Sequence, residues 1–318
     1  MRKNYGIPYM GSKNKIAEKI IDFLPAGDML IDLFGGGGAI TDCAKQSNKW
    51  NTILYNEIDP LPYKCFTKAL KGEYKNETRW ISKEDFNKLK DTDEYVACCF
   101  SFGNNFKTYM YNKVKEPYKR AYHYAIVFND FEPLCKILDN DENVKEIEQA
   151  LKGITDKKER RLVFQRSLGR YILEREEHLE KLDRLNEIKS TVLMSKNSSR
   201  DVSQNQQYFE QLNKICVPHD EINNILFFNT DYRNINLPEG SIIYCDIPYK
   251  NTGGYKHQFD YDYFYDWCIL KKNEGHQIFI SEYSMPEDRF KCVFEVVKRC
   301  SFSQTMNKAT YEKIYVPK

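Results

Sequence analysis

The sequence lacks the features that mark membrane, secreted and metal-binding proteins. No apolar run approaches the length of about eighteen residues at which a membrane-spanning helix becomes a candidate. Residues 1–6 contain no apolar segment like that of a signal peptide. The ten cysteines form no C-x-x-C pair, and the five histidines do not cluster. These absences predict a cytoplasmic protein with reduced thiols, no membrane partner and no metal.

The sequence also lacks a strong excess of charge of either sign. Its 48 Lys and Arg residues against 46 Asp and Glu residues leave a net charge of +2. This balance excludes a histone-like polycation, so a surface for nucleic acid would have to be local. A length of 318 residues, 41% of them hydrophobic, allows a sizeable core in one large domain or two modest ones.

Short apolar runs typical of strands lie toward the two ends of the chain. They occur at residues 29–34, 52–56, 225–228, 241–245, 277–281, 294–297 and 313–316. The residues between are rich in charged helix formers, with one or two helices expected over 157–189 and a loop over 195–207. This pattern predicts an α/β, Rossmann-like fold with a mostly parallel sheet of about seven strands. Residues 1–105 and 225–318 would form the sheet domain, and 106–224 a helical insertion.

A run of four glycines, Gly35 to Gly38, follows the first predicted strand and its Asp32. Glycine lets the backbone approach a bound nucleotide closely, and the next helix offers free N–H groups at its start. The dehydrogenase fingerprint lacks its third glycine, because Ile40 or Thr41 stands there. An acid just before the glycines suits a cationic ligand better than a pyrophosphate. A simple tight turn is the alternative.

Glu57 follows the second predicted strand, twenty residues after Gly37. A carboxylate at this point of a nucleotide-binding α/β fold is placed to accept hydrogen bonds from both ribose hydroxyls. The spacing therefore favours a functional role for Glu57. For Asp59 we expect only a solvated acid in a loop.

The segment from Tyr244 to Tyr249, directly after an apolar strand, places an acid, a proline and an aromatic together. Asp246 and a neighbouring backbone carbonyl can both accept hydrogen bonds from an exocyclic amine. Tyr249 can stack on the planar base that carries this amine. The segment therefore predicts a site for a nucleobase amine.

Taken together, these segments resemble the S-adenosylmethionine-dependent DNA adenine methyltransferases of the Dam type. The resemblance covers residues 5–105 and 225–316, and it is closest to phage and mobile-element members. The motif order matches the alpha arrangement of amino-methyltransferases. The segments that carry the resemblance are Pro8–Lys13, Asp32–Gly38, Glu57, Asn229–Tyr232, Asp246–Tyr249 and Phe279–Pro286.

The resemblance implies a site with a cofactor half and a target half, and S-adenosylhomocysteine as the cofactor product. The implied cofactor contacts are Tyr9, Gly11 and Lys13, then Asp32, Phe34, Gly35 and Gly37 for the methionine part, Glu57 for the ribose, and Asp231 with Tyr232 for the adenine. The implied catalytic residues are Asp246, Ile247, Pro248 and Tyr249. Asp246 would lie between the cofactor and the target amine, and Tyr249 would stack on the extruded base.

Two residues depart from the family pattern. Ile247 stands where proline is usual, and Ser12 replaces a glycine of the N-terminal segment. The backbone carbonyl of residue 247 survives the change. We therefore expect activity, with a looser turn.

Basic residues alternate with tyrosines at the start of the insertion. We expect double-stranded DNA to contact Lys107, Lys113, Lys115, Lys119 and Arg120. Asn104 and Asn105 would line the target pocket. The alternative is that the tyrosines only pack and that the charges are those of a solvated helix.

Two alternative functions stay open. One is a methyltransferase that acts on cytosine N4 or on RNA. By family analogy, Asp rather than Ser at position 246 favours adenine over this alternative. The other is a catalytically silent DNA-binding relative, which only Ile247 favours. Neither the recognition sequence nor the oligomeric state follows from these residues.

Overall fold

The computed structural model describes residues 4–138, 141–182, 204–217, 222–249, 259–299 and 309–318. Its strands are β1 (Gly27–Asp32), β2 (Trp50–Asn56), β3 (Ile225–Phe228), β4 (Ile242–Asp246), β5 (Gln277–Glu282), β6 (Phe290–Arg299) and β7 (Ala309–Pro317). Its α-helices are α1 (Ala17–Phe23), α2 (Ala39–Ser47), α3 (Pro60–Leu70), α4 (Lys83–Leu89), α5 (Glu94–Cys99), α6 (Glu116–His123), α7 (Glu132–Leu138), α8 (Asp141–Leu151), α9 (Lys157–Leu182), α10 (Gln204–Lys214) and α11 (Tyr261–Asn273).

The strands form one sheet in the order β3-β2-β1-β4-β5-β7-β6. Strands β1 to β5 pair in parallel, whereas β7 runs antiparallel to both β5 and β6. Five of the strands follow the Rossmann order 3-2-1-4-5. The antiparallel strand β7 then lies between β5 and β6. The predicted fold class is confirmed, including a mostly parallel sheet of seven strands.

Neighbouring residues of the central strands point to opposite faces of the sheet, as the pleat requires. Leu30 of β1 belongs to the apolar cluster that includes residues of α1 and α2, whereas Ile31 belongs to the cluster that includes Phe264 of α11. Because both faces are covered, the middle of β1 (Met29 to Ile31) and most of β4 (Ile242 to Cys245) are apolar. The sequence therefore becomes polar at the carboxyl ends of these strands.

The helices that flank the site begin at defined signals. Helix α2 follows Gly38, whose φ of 70° lies in the left-handed region. Helix α3 begins at Pro60, and its N-cap Asp59 accepts a hydrogen bond from the Leu61 N–H. The expectation of a merely solvated Asp59 was therefore wrong, because its carboxylate caps this helix.

The insertion contains an apolar cluster of its own, made by α6 to α9 and the π-helical turn Tyr124–Phe128. The flanking segments pack elsewhere: Tyr109, Tyr111, Phe209 and Leu212 join the cluster of α3 and α5. Part of the 106–224 stretch thus packs with the sheet domain. The predicted boundaries between the two domains stay a prediction.

A buried histidine joins the insertion to the sheet domain. One ring nitrogen of His123 lies 2.9 Å from the Thr78 carbonyl oxygen, and the other lies 2.9 Å from Nε2 of Gln206. Burial lowers the pKa of His123 to about 4, so the ring is neutral at physiological pH. Helix α6 is thereby held in a fixed position.

The predicted loop over 195–207 was wrong at its end, because α10 starts at Gln204. Asn205 and Gln206 are polar but buried, and they bond to Tyr111 and His123. Residues 195–203 and 183–189 lie outside the described residues; the predicted long helix is present as α9. Within the part of the chain that the structure describes, no helix is long and apolar enough to cross a membrane.

Candidate active site

A cavity of about 620 Å³ opens at the carboxyl ends of β1, β2 and β4, where the strand order reverses. Ligands of open α/β sheets bind at this position. The structure brings to its walls the predicted residues Tyr9, Gly11, Lys13, Asp32, Phe34, Gly35, Gly37, Glu57, Asp231, Tyr232, Asp246, Pro248 and Tyr249. Asn104, Asn105 and Lys107 also line it. Ile247 does not, because its side chain is buried in the apolar cluster of α11.

The glycine-rich turn is held against β2. The Gly35 N–H donates to the Asn56 carbonyl at 2.7 Å, and the Tyr55 hydroxyl donates to the Gly36 carbonyl at 2.7 Å. A Cβ atom added at Gly35 would lie 2.2 Å from the Tyr55 ring. Position 35 therefore requires glycine for close packing of the backbone on an aromatic ring.

Asp32 ends β1 and faces the first turn of α2. Its Oδ2 accepts hydrogen bonds from the Thr41 hydroxyl at 2.7 Å and the Thr41 N–H at 3.2 Å. Burial raises the pKa of Asp32 to about 7, although the bonds from Thr41 oppose the shift. A neighbouring cation would therefore favour the ionised form.

Glu57, just after β2, is bound by two backbone N–H groups. They belong to Gly36 and Asp59, each at 2.8 Å. Burial raises the pKa of Glu57 to about 7 against these bonds. A carboxylate has about four lone-pair sites, so acceptor capacity remains for ligand hydroxyls.

Asp231 and Tyr232 form another wall. Arg233 donates to the Asp231 carboxylate from Nε at 2.8 Å and Nη2 at 2.6 Å, and this guanidinium holds the pKa of Asp231 below its usual value. The ring centroid of Phe34 lies 5.2 Å from that of Tyr232 and 5.8 Å from that of Phe259. Acceptors and flat apolar groups thus lie side by side.

The Asp246–Tyr249 segment leaves β4 and turns along the cavity. Nζ of Lys13 lies 2.7 Å from Oδ1 of Asp246 and donates to the Tyr249 hydroxyl at 2.6 Å. The Tyr261 hydroxyl donates to the Pro248 carbonyl at 2.9 Å. Burial alone lowers the pKa of Lys13, but the carboxylates beside it raise the value above the ordinary one. Lys13 therefore stays protonated beside the Asp246–Tyr249 segment.

Two buried acids beside this segment were not predicted as site residues: Glu282, whose segment Phe279–Pro286 only contributed to the resemblance, and Glu312. Glu282 ends β5, and burial raises its pKa to about 7; its Oε2 has no hydrogen-bond partner among the described residues. Its place after an apolar strand, like that of Asp246, is a signal that could have identified it. Glu312 of β7 accepts from the Tyr249 hydroxyl, and Oε1 lies 3.3 Å from Nζ of Lys13. No local pattern marks it.

Of the five predicted DNA contacts, Lys107, Lys113, Lys115 and Arg120 are exposed. Lys119 is only 7% exposed, with its ammonium 5.7 Å from the Tyr122 ring centroid. Neighbouring tyrosines at 109, 111 and 122 are buried as well. For these tyrosines the alternative expectation, that they only pack, describes the structure. The segment supplies their aromatic side chains to the core.

The fold is that of the α/β proteins that bind their ligands at the topological switch point, and the cavity lies at this point. A model of the D12 class N6 adenine-specific DNA methyltransferase family matches residues 9–286. The chain therefore belongs to this family, whose members are S-adenosylmethionine-dependent enzymes that act on DNA. The predicted resemblance to adenine methyltransferases is confirmed, whereas closeness to phage and mobile-element members stays a prediction.

Two structures of the rRNA methyltransferase aviRa from Streptomyces viridochromogenes match the chain at 10% sequence identity and a TM-score of 0.32. The alignment covers 95% of this chain and 82% of the rRNA methyltransferase chain. No curated protein matches the sequence.

Proposed function

We propose that this chain methylates N6 of a specific adenine flipped out of double-stranded DNA, with Asp246 and Tyr249 as the residues that receive the base. The observation that carries the proposal is their arrangement. Both line the cavity that Asp32 and Glu57 also line, and Lys13 bonds to both. One cavity thus combines acceptors for a cofactor with an acceptor and a ring for a base.

The residues of the cavity fit S-adenosylmethionine. Asp32 would hold its cationic methionine part, Glu57 its ribose hydroxyls, and Asp231 its adenine amine, with Phe34 and Tyr232 as apolar walls. The buried carboxylates support this fit, because a bound cation and hydroxyl donors would satisfy them. When bound, the cofactor supplies an electrophilic methyl group with a good leaving group. We propose the same contacts for Tyr9, Gly11, Lys13, Gly35 and Gly37 that the family resemblance implies.

The target amine needs acceptors rather than a strong base. The Asp246 carboxylate and the carbonyl of residue 247 would each accept an N–H of the adenine amine. These bonds draw the lone pair out of the ring and stabilise the positive charge that develops on nitrogen. The Ile247 side chain is buried away from the cavity, so the substitution leaves this backbone acceptor in place. Positioning of the two reactants supplies most of the remaining rate.

Flipping the base costs a few kcal/mol, and stacking on Tyr249 would offset part of it. The exposed cations Lys107, which lines the cavity, and Lys113, Lys115 and Arg120 would neutralise DNA phosphates. We leave Lys119 out of this set because it is buried. The insertion over 106–224 would act as the target-recognition lobe, and 1–105 with 225–318 as the catalytic domain.

The test is transfer of a labelled methyl group to duplex DNA, followed by digestion to nucleosides and mass spectrometry. We expect label on N6-methyldeoxyadenosine. Label on cytosine, or on RNA alone, would contradict the proposal. DNA binding without any transfer would instead support a catalytically silent relative.

A further inference from the structure

A carboxylate lies buried behind the Asp246–Tyr249 segment, at a position to which no motif drew attention. Glu312 is 0% exposed in β7, the strand that runs antiparallel between β5 and β6. A buried carboxylate is costly unless it is paired and hydrogen-bonded. Glu312 contacts Lys13 and Tyr249, and both of these line the cavity.

The Tyr249 hydroxyl is held from two sides. It donates to Glu312 and accepts from Nζ of Lys13 at 2.6 Å. The same ammonium lies 4.6 Å from the Tyr249 ring centroid and 2.7 Å from Oδ1 of Asp246. One cation therefore links Glu312, the proposed stacking ring and the proposed catalytic carboxylate.

We propose that Glu312 is a positioning residue: it holds Tyr249 and Lys13 so that the ring and the Asp246 carboxylate keep the separation that an adenine between them requires. This inference rests on the proposed function of the cavity. The sheet makes the support rigid, because Glu312 pairs with Val296 of β6 and the next residue, Lys313, pairs with Glu282 of β5. The Tyr283 ring, with its centroid 4.6 Å from that of Tyr249, fixes the ring from another direction.

The arrangement explains why an acid stands at this buried position. An apolar side chain would fill the volume at less desolvation cost, but it would leave the Tyr249 hydroxyl without its acceptor. It would also remove one of the two carboxylates, those of Asp246 and Glu312, that stabilise the charge of the Lys13 ammonium. The ammonium would then move toward Asp246, and the tyrosine ring would lose one of the contacts that fix its rotation.

The experiment compares Glu312→Gln and Glu312→Ala with wild type. The matched control is Glu295→Gln on the adjacent β6, where a 47% exposed acid lies 3.8 Å from Lys313. The first readout needs neither DNA nor cofactor: the fluorine resonance of 3-fluorotyrosine incorporated at position 249. We expect it to shift in both Glu312 variants and to stay unchanged in Glu295→Gln. An unchanged resonance in Glu312→Ala would overturn the inference whether or not the protein methylates adenine.

The second readout is the single-turnover rate of methyl transfer, measured beside the Kd for DNA. Loss of a hydrogen bond to a charged group predicts a rate lower by about tenfold to a hundredfold in Glu312→Ala. We expect a smaller loss in Glu312→Gln, whose amide oxygen still accepts from Tyr249, and a DNA Kd within about twofold of wild type in each variant. A rate equal to wild type overturns the inference, and so does an equal loss of rate and DNA affinity. Wild-type protein that transfers no methyl to adenine would count against the proposed function, and the fluorine result would still decide the role of Glu312.

Discussion

The Lys13 ammonium and the Asp246 carboxylate lie 2.7 Å apart, with Lys13 almost fully buried. This contact joins the N-terminal segment to the end of β4, so the carboxylate that we propose to be catalytic is oriented before any ligand binds. Charged hydrogen bonds of this kind are short and directional. Preset orientation of the acceptor reduces the reorganisation that the reaction requires.

Replacing Asp246 by Ala should nearly abolish methyl transfer and leave DNA binding largely intact. By analogy with the removal of one preorganised group from an active site, we expect a loss of about a hundredfold to a thousandfold in kcat. The measurements are single-turnover transfer and DNA binding on the same preparation. Asp266→Ala, which changes a 78% exposed acid paired with Arg289, is the control. Turnover by Asp246→Ala equal to that of wild type would refute the role of this carboxylate.

Cofactor binding should strengthen with pH between about 6 and 8, because Glu57 must ionise to accept hydroxyls at full strength. Burial raises its pKa to about 7, so one such group changes the Kd about tenfold across this range. Calorimetric titration with S-adenosylhomocysteine measures the slope. Glu57→Gln should remove the part of the pH dependence of the Kd that Glu57 causes. A smaller dependence should remain, because the pKa of Asp32 is raised as well. A wild-type Kd independent of pH would contradict this role.

The same raised pKa predicts the opposite trend for the stability of the ligand-free protein. The ordinary pKa of Glu57 is 4.5 and the folded value is about 7, so the folded state holds the proton more tightly. Its contribution to the free energy of unfolding is fully present below 4.5 and is lost as pH rises through about 7. Denaturant titrations should give free energies of unfolding for wild type and Glu57→Gln that approach each other at low pH. As pH rises, the wild-type value should fall more steeply. Parallel curves would show that Glu57 does not titrate in this range.

Gly35→Ala should weaken cofactor binding by about tenfold or more, because the added Cβ displaces the turn from Tyr55. Gly27→Ala is a matched control at the start of β1. Its Cβ would meet only the side chain of Ile242, which can shift at its flexible Cδ1 end. The Kd for S-adenosylhomocysteine should therefore change in the first variant and not in the second. Similar affinities for both would show that close packing of this turn is unimportant for binding.

Removing exposed cations from the start of the insertion should weaken DNA binding on every sequence and lower its dependence on salt. If Lys113, Lys115 and Arg120 each neutralise one phosphate, replacing any of them by Ala should reduce the slope of log K against log salt by about one. Fluorescence anisotropy at several salt concentrations measures the slope. Lys88→Ala is the control, because this exposed lysine pairs with Glu84. A slope that stays unchanged when all three are replaced together by Ala would place the DNA elsewhere.

The sequence predicted the site best where acids follow apolar strands of the parallel sheet. Asp32, Glu57 and Asp246 were predictable because the carboxyl ends of parallel strands meet at one edge. Glu312 was not, since β7 runs the other way and its side chain reaches the site only through tertiary packing. Buried polar residues were the second source of error. Lys119, Asn205 and Gln206 look like surface residues, yet the fold buries them beside specific partners.

We expect this chain to place a methyl group on N6 of adenine in duplex DNA. The direct measurement is incubation of the purified protein with duplex DNA and labelled S-adenosylmethionine, with the Asp246→Ala variant in parallel, then mass spectrometry of the digested nucleosides. We expect label on N6-methyldeoxyadenosine with wild type and almost none with the variant. Label on cytosine or on RNA alone, or label of equal amount with both proteins, would contradict the claim.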